Sequence, residues 1–387
     1  MVSFDNTEIA FSGKSNADLR RSFWLFRMIG SPAFVKIGKA LTTFALKLHL
    51  PIKGMIKATI FKQFVGGETI GECNKTVASL GKFNIGTILD YSVEGKESEH
   101  DFDACRAETI ATIERAKNDV HIPFCVFKVT GLARFDLLEK VSAKENLSQE
   151  EAAEFERVRL RVEKICATGH QHGKPIFIDA EESWIQQAID DLADEMMLKF
   201  NKEKAIVYNT FQLYRKDRLS FLKTSFEKAQ RENYLLGAKL VRGAYMEKER
   251  ARALKMNYPS PIQDTKENTD RDYNAALLFC VEHIERIAVC AGTHNEESSL
   301  LLVKALNEKK IPHNHPHIFF SQLLGMSDHI SFNLSSDKYN VAKYVPYGPV
   351  KEVLPYLIRR AQENTSVKGQ TGRELSLIIK EKRRRKK

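Results

Sequence analysis

At 387 residues the chain is long enough for two average domains or for one large α/β barrel with additions. A hydrophobic fraction of 43% and only 11 prolines describe an ordinary globular protein, and no apolar run reaches the ~18 residues that a membrane-spanning helix needs. The net charge of +10 sits mostly at one end: seven basic residues and one acidic one lie between Lys380 and Lys387, which leaves the rest nearly balanced and argues against a nucleic-acid-binding core. The tail itself, residues 367–387, reads as a frayed, solubilising end.

Residues 1–65 read as an N-terminal helical arm, with helices expected over 17–30 and 32–49. Ser31 is the N-cap of the second and Pro32 stands in its first turn. Lys36, Lys39, Lys47, Lys53 and Lys57 alternate with Phe34, Ile37, Leu41, Phe44 and Leu48. Such a pattern suits a helix packed on its own barrel, and also a basic helix lying on a membrane face. Cys73, Cys105, Cys125, Cys166, Cys280 and Cys290 are scattered, form no CxxC pair and follow no secretory leader, so a reducing, cytoplasmic setting is expected.

From residue 85 onward, short apolar runs alternate with longer helical stretches. The runs are Ile85–Ser92, Ile122–Leu132, Pro175–Glu181, Ala205–Gln212, Ala238–Tyr245, Arg286–His294, Ile318–Leu324 and Asn340–Gly348. Each is apolar on both faces, as parallel strands covered by helices must be. The clearest helix, 148–168, opens on a capping box of Ser148 and Glu151. Eight strand–helix units in ~260 residues match a (β/α)8 TIM-like barrel over 66–366, whereas a doubly wound sheet more often stops at five or six strands.

Chemistry in such barrels sits at the carboxyl ends of the strands. Those ends carry Lys128, Asp179 and Glu181, Gln212 and Tyr214, Lys239 with Arg242 and Tyr245, Thr293-His294-Asn295, Gln322 and Tyr344. A charge inside a closed barrel is costly unless paired, so a full polar ring points to an active site, and its cationic excess to an anionic ligand. Lys239 stands in no evident desolvated pocket, which weighs against a Schiff base. After the eighth strand, Tyr356, Arg359, Arg360 and Glu363 fall at i, i+3, i+4 and i+7, on one helical face. Two guanidiniums there make a fork for a carboxylate, and the same stripe equally fits a solvated face. His313, His315 and His317 stand at alternate positions just before strand seven, interspersed with Pro312 and Pro316; they read as a loop at the barrel's amino end, and no metal is expected.

Several stretches closely resemble proline dehydrogenase. They are Phe127-Lys128-Val129-Thr130-Gly131-Leu132, Ile178-Asp179-Ala180-Glu181, Lys239-Leu-Val-Arg-Gly-Ala-Tyr245, Gly292-Thr-His-Asn295, Ser321-Gln-Leu-Leu-Gly-Met326 and Tyr344 to Asn364, in the family's order. The resemblance implies a distorted (β/α)8 barrel that binds FAD and oxidises L-proline to Δ1-pyrroline-5-carboxylate. It also implies that Arg359, Arg360 and Lys128 hold the substrate carboxylate while Leu323, Tyr344 and Tyr356 line the ring pocket. Asp179 corresponds to the active-site carboxylate, and Lys239 replaces an arginine found near the flavin N5 in bifunctional relatives. Ala180, Gln212, Val241, Arg242, Gly243, Ala244, Thr293 and His294 match flavin-contacting positions, and Glu68 matches the partner that closes an ion-pair gate with Arg359. A membrane quinone is the implied electron acceptor, reached from the cytoplasmic face, and the product passes to a separate pyrroline-5-carboxylate dehydrogenase. Two other readings stay open on the residues alone: a lyase working through Lys128 or Lys239, and a basic platform for RNA or an acidic partner.

Overall fold

The computed structural model describes residues 2–31, 53–92, 97–366 and 370–386. Among them, eight parallel strands close in sequence order: Ile85–Tyr91 (β1), Phe124–Lys128 (β2), Ile176–Asp179 (β3), Val207–Gln212 (β4), Leu236–Val241 (β5), Ile287–Gly292 (β6), Ile318–Leu323 (β7) and Val341–Tyr347 (β8). The seam between β1 and β8 is in register from Ile85 opposite Val341 to Tyr91 opposite Tyr347. Helices Glu99–Ala116, Gln186–Phe200, Arg218–Arg231, Glu296–Glu308 and Asp328–Ser336 each follow one strand, two helices each follow β2 and β5, and Leu354–Ser366 and Gln370–Arg384 follow β8. The (β/α)8 expectation holds strand for strand. Several ends differ: β2 stops at Lys128 because Val129–Gly131 tightens into a 3-10 turn, and β5 stops at Val241 before Gly243 takes φ +138°.

Alternation sorts each strand into two faces. In β5, Leu236, Ala238 and Leu240 pack under the helices in the main core, which leaves Lys239 to the barrel interior. The amino half of that interior is an aromatic plug. Phe124 stacks on Phe177 at 4.4 Å and meets Phe319 and Tyr208 edge-on at 4.7 and 5.6 Å. The helix Gln149–Gln171 starts as its sequence requires, with both halves of the Ser148–Glu151 capping box formed.

The tail departs from expectation. Gln370–Arg384 is a helix that buries Leu377, Ile378 and Glu381, so it is not a frayed end. Its cations are absorbed locally: Arg385 bonds Glu381 and the carbonyls of Phe11 and Lys14, and Lys380 bonds the carbonyl of Asp5. The helix Asn16–Ile29 is the expected first arm helix. Its Leu19, Leu25 and Phe26 form one apolar cluster with Phe64, Leu354, Leu357 and Leu377. Both chain ends thus pack over the face where β7 and β8 exit. The helix expected over 32–49 lies outside the described residues. His313 spends both ring nitrogens on Asp337 O and Asn307 and stacks on Tyr339, and His317 bonds Ile284 O, as befits a structural loop.

Candidate active site

At the carboxyl end of the barrel interior the aromatic plug gives way to charge. Lys239 reaches across to Asp179 Oδ1 at 2.5 Å and donates to the Tyr344 hydroxyl at 2.5 Å, while that hydroxyl donates to Asp179 Oδ1 at 3.1 Å. The Lys239 ammonium also lies 4.5 Å from the Tyr344 ring centre and 5.5 Å from that of Phe177, so the plug forms its floor. Lys239 is 5% exposed, which corrects the expectation that it sits in no desolvated pocket. Its nitrogen is already engaged by the Asp179 carboxylate and the Tyr344 hydroxyl, which leaves it poorly placed to attack a carbonyl as a Schiff-base nucleophile.

Lys128 closes the cluster, with its ammonium 3.4 Å from Asp90 and 3.7 Å from Asp179. Adjacent register partners Lys128 on β2 and Asp179 on β3 bring these side chains onto one level. Burial alone would raise the Asp179 carboxyl; Lys239 and Lys128, with hydrogen bonds from Lys239 and Tyr344, hold it below the usual carboxylate range. Burial and the Asp179 charge push the Tyr344 phenol well above its ordinary value, so it stays a neutral donor. Glu181, one turn on, is raised to about 7 by burial, although Thr130 bonds it through both its amide and its hydroxyl.

After β8 the helix Leu354–Ser366 buries Tyr356 and Arg360, at 7% and 8% exposure, so the stripe is no solvated face over these two residues. The Arg360 guanidinium sits 5.2 Å from the Tyr356 ring centre. Leu323 ends β7 opposite Tyr344 of β8 and touches both the barrel interior and the terminal cluster. Glu363 falls where no side chain is described.

The other predicted residues form a second group on the β4–β6 side. Gln212, paired in register with Val241, donates its amide to Glu181 O at 3.0 Å, while its own carbonyl oxygen is buried with no hydrogen-bond partner. Arg242 is held by Asp270 at 2.7 Å, Thr293 at 2.7 Å and Ser298 at 3.0 Å, and lies on the Tyr273 ring at 4.4 Å. Ala180 follows β3, Ala244 follows Gly243, and His294 meets Ser327 at 2.9 Å. Burial and the charges of Lys343 and Arg360 push the His294 imidazole down to about 3, so it is neutral.

A family profile described as proline dehydrogenase matches residues 73–373. The chain belongs to the proline dehydrogenase family. It is 36% identical over 384 residues to a mitochondrial proline dehydrogenase 1 of Dictyostelium discoideum, with 88% of this chain and 67% of the relative covered. The carbapenem antibiotics biosynthesis protein CarD of Pectobacterium carotovorum is 34% identical over 90% of this chain and 91% of its own length. Among solved structures, proline utilization A from Bdellovibrio bacteriovorus superposes with a TM-score of 0.72 over 94% of this chain, at 19% identity, and so agrees in fold. This chain spans 37% of that one. Family membership makes the protein an oxidoreductase of the proline dehydrogenase type.

Three residues add to the sequence reading. Glu68 follows Gly67, which bridges to Tyr347 at the exit of β8, and its carboxylate contacts Lys57 at 2.6 Å and the Val350 amide at 3.3 Å. Gly243 is explained by the protein itself: at φ +138° an added Cβ would stand 2.4 Å from the Tyr214 ring, whatever lies on its other side. Asp90 was not foreseen; a single carboxylate closing the apolar run Ile85–Leu89, two residues after inward Ile88, was the available signal.

Proposed function

We propose that the protein oxidises L-proline to Δ1-pyrroline-5-carboxylate with bound FAD, the first step of proline breakdown. The observation that supports this is the Lys239–Asp179–Tyr344–Lys128 cluster at the barrel mouth, taken with the helix after β8 that carries Arg359 and buries Arg360. Arg359 and Arg360, with Lys128, bind the carboxylate, because paired guanidiniums and an ammonium match a small anion. Leu323, Tyr344 and Tyr356 pack the pyrrolidine ring and exclude water. Asp179 holds Lys239 and Lys128 in place, and this cationic wall favours the neutral amine of the substrate over its ammonium. Fixing the carboxylate orients the ring, which supplies much of the rate.

FAD, when bound, supplies the acceptor at flavin N5 for the hydride leaving C5 of proline. The residues present suit it. The orphaned, buried Gln212 carbonyl oxygen is an acceptor awaiting a donor, a costly state in an apo interior. Ala180, Val241, Arg242, Gly243, Ala244, Thr293 and His294 surround the same side of the barrel mouth and would hold the cofactor. Glu68 acts as a gate, closing with Arg359 over bound substrate while Lys57 shares its carboxylate. Electrons pass to a membrane quinone reached from the cytoplasmic face, and the pyrroline leaves for a separate dehydrogenase. No described helix is long and apolar enough to cross a membrane.

An anaerobic titration tests this: purified protein should be yellow and bleach with L-proline, and bleach poorly with trans-4-hydroxy-L-proline because Tyr344 crowds the ring. Protein that binds no FAD, or stays yellow with proline, ends the proposal. Equal bleaching by both imino acids removes the specificity part alone.

A further inference from the structure

The loop between β7 and the helix Asp328–Ser336 has a feature that packing alone does not explain. Ser327 stands at the N-cap of that helix, where a serine hydroxyl ordinarily bonds the backbone of the first turn, yet it makes no capping bond. It also takes a left-handed backbone, φ 50°, which costs a non-glycine residue about 1 kcal/mol. The hydroxyl is turned the other way, onto His294 Nδ1 at 2.9 Å. Ser327 is fully buried.

Three remote segments hold this unfavourable geometry. From the C-terminal helix, the buried carboxylate of Glu374 accepts the Ser327 backbone N–H, which the left-handed turn would otherwise strand. From the barrel, Lys343, completely buried, donates to Met326 O at 2.6 Å and Asp328 Oδ1 at 2.7 Å, and Lys14 of the N-terminal segment pairs with the other oxygen of Asp328 at 2.7 Å. From the arm, Gln63 donates to Gly325 O at 2.9 Å and is itself bonded by Ser22. The far side of His294 is fixed too, since Gln322 donates to Thr293 O at 3.1 Å. A neutral imidazole has one donor and one acceptor nitrogen, so whatever Nδ1 exchanges with a hydroxyl sets the role left to Nε2.

We propose that Ser327 is a positioning residue that fixes the orientation of His294 at the cofactor rim, and that Glu374, on the C-terminal helix, acts on the rim through Ser327. The inference rests on the assignment of His294 to the FAD-contacting set.

The test uses full-length protein labelled with 15N-histidine, in Ser327→Ala, Ser327→Gly, Glu374→Gln and Glu374→Leu variants. Two quantities are measured: the His294 ring-nitrogen resonances and the FAD dissociation constant. Both serine variants should move the His294 resonances and weaken FAD about five- to tenfold, the effect of one lost hydrogen bond. Glycine relieves the left-handed backbone, so a serine serving the backbone alone predicts tight FAD and higher melting temperature for Ser327→Gly; that result overturns the proposal. Glu374→Gln keeps an acceptor for the Ser327 amide and should behave as the parent, whereas Glu374→Leu should reproduce the serine variants. Unchanged His294 resonances in both serine variants also overturn it. Resonances that move while FAD affinity holds would remove His294 from the rim and overturn the proposal, with proline bleaching of the same samples deciding separately whether the dehydrogenase assignment stands.

Discussion

The two ends of the barrel interior are built on the same strands and solve opposite problems. At the amino end Phe124, Phe177, Tyr208 and Phe319 fill the tube with rings, and burial of apolar area does the work. Further along the same strands, four residues past Phe124 and two past Phe177, stand Lys128 and Asp179, with Asp90, Lys239 and Tyr344 beside them. Here burial costs free energy, and the cluster persists because each charge has an opposite neighbour at short range. Phe177 joins the two: it stacks 6.3 Å from the Tyr344 ring and lies under the Lys239 ammonium. A rigid apolar floor can therefore hold a charged layer at fixed height, and that fixed height is what substrate orientation needs.

The comparison can be broken from either end. Phe124→Ala should cost about 3–5 kcal/mol of stability in denaturant melts and leave the proline KM nearly unchanged, because it removes the ring below Phe177 while Phe177 itself still supports Lys239 and Tyr344. Asp179→Ala should cost a similar amount, about 3–5 kcal/mol, by leaving the Lys239 ammonium buried without its carboxylate, and unlike the floor variant it should also abolish turnover. If both variants merely destabilise, the division between floor and working layer is wrong.

Glu181 sharpens the picture through pH. Its folded carboxyl is raised by burial from 4.5 to about 7, so the folded state binds more protons in that window and stability is lost as pH rises through it. Glu181→Gln should remove up to about 3 kcal/mol of that loss, visible as a higher melting temperature at pH 8 and little change at pH 4. A parallel pH dependence in both proteins would exclude Glu181 as the source. Arg359→Met or Arg360→Met, by contrast, should leave FAD bound and raise the proline KM about 10- to 100-fold, the worth of a charge-assisted bond. A KM unchanged in both variants would remove the carboxylate fork.

Much of this was legible in the chain because the barrel is written locally. Apolar runs such as Ile176–Asp179 and Ile287–Gly292 must be buried on both faces, and a polar residue closing such a run must face the mouth. Asp179, Lys239 and Tyr344 were each visible in this way. The tail was misread for a related reason: Lys380 to Lys387 is charged enough to read as solvated, but Leu377, Ile378 and Glu381 show their purpose only against the arm helix they bury into. Ser327 and Glu374 carry no local signal at all, since their contact joins positions 47 residues apart in the chain.

By itself the sequence determined the eightfold strand count, the polar ring at the strand ends and the paired arginines, because periodicity and residue type are local properties of a chain. The tertiary structure decided which charges neutralise one another, that Lys239 is buried and paired with Asp179, and that both chain ends brace the β7 exit. Those outcomes depend on distances between residues remote in sequence, and electrostatic pairing and packing are set by distance.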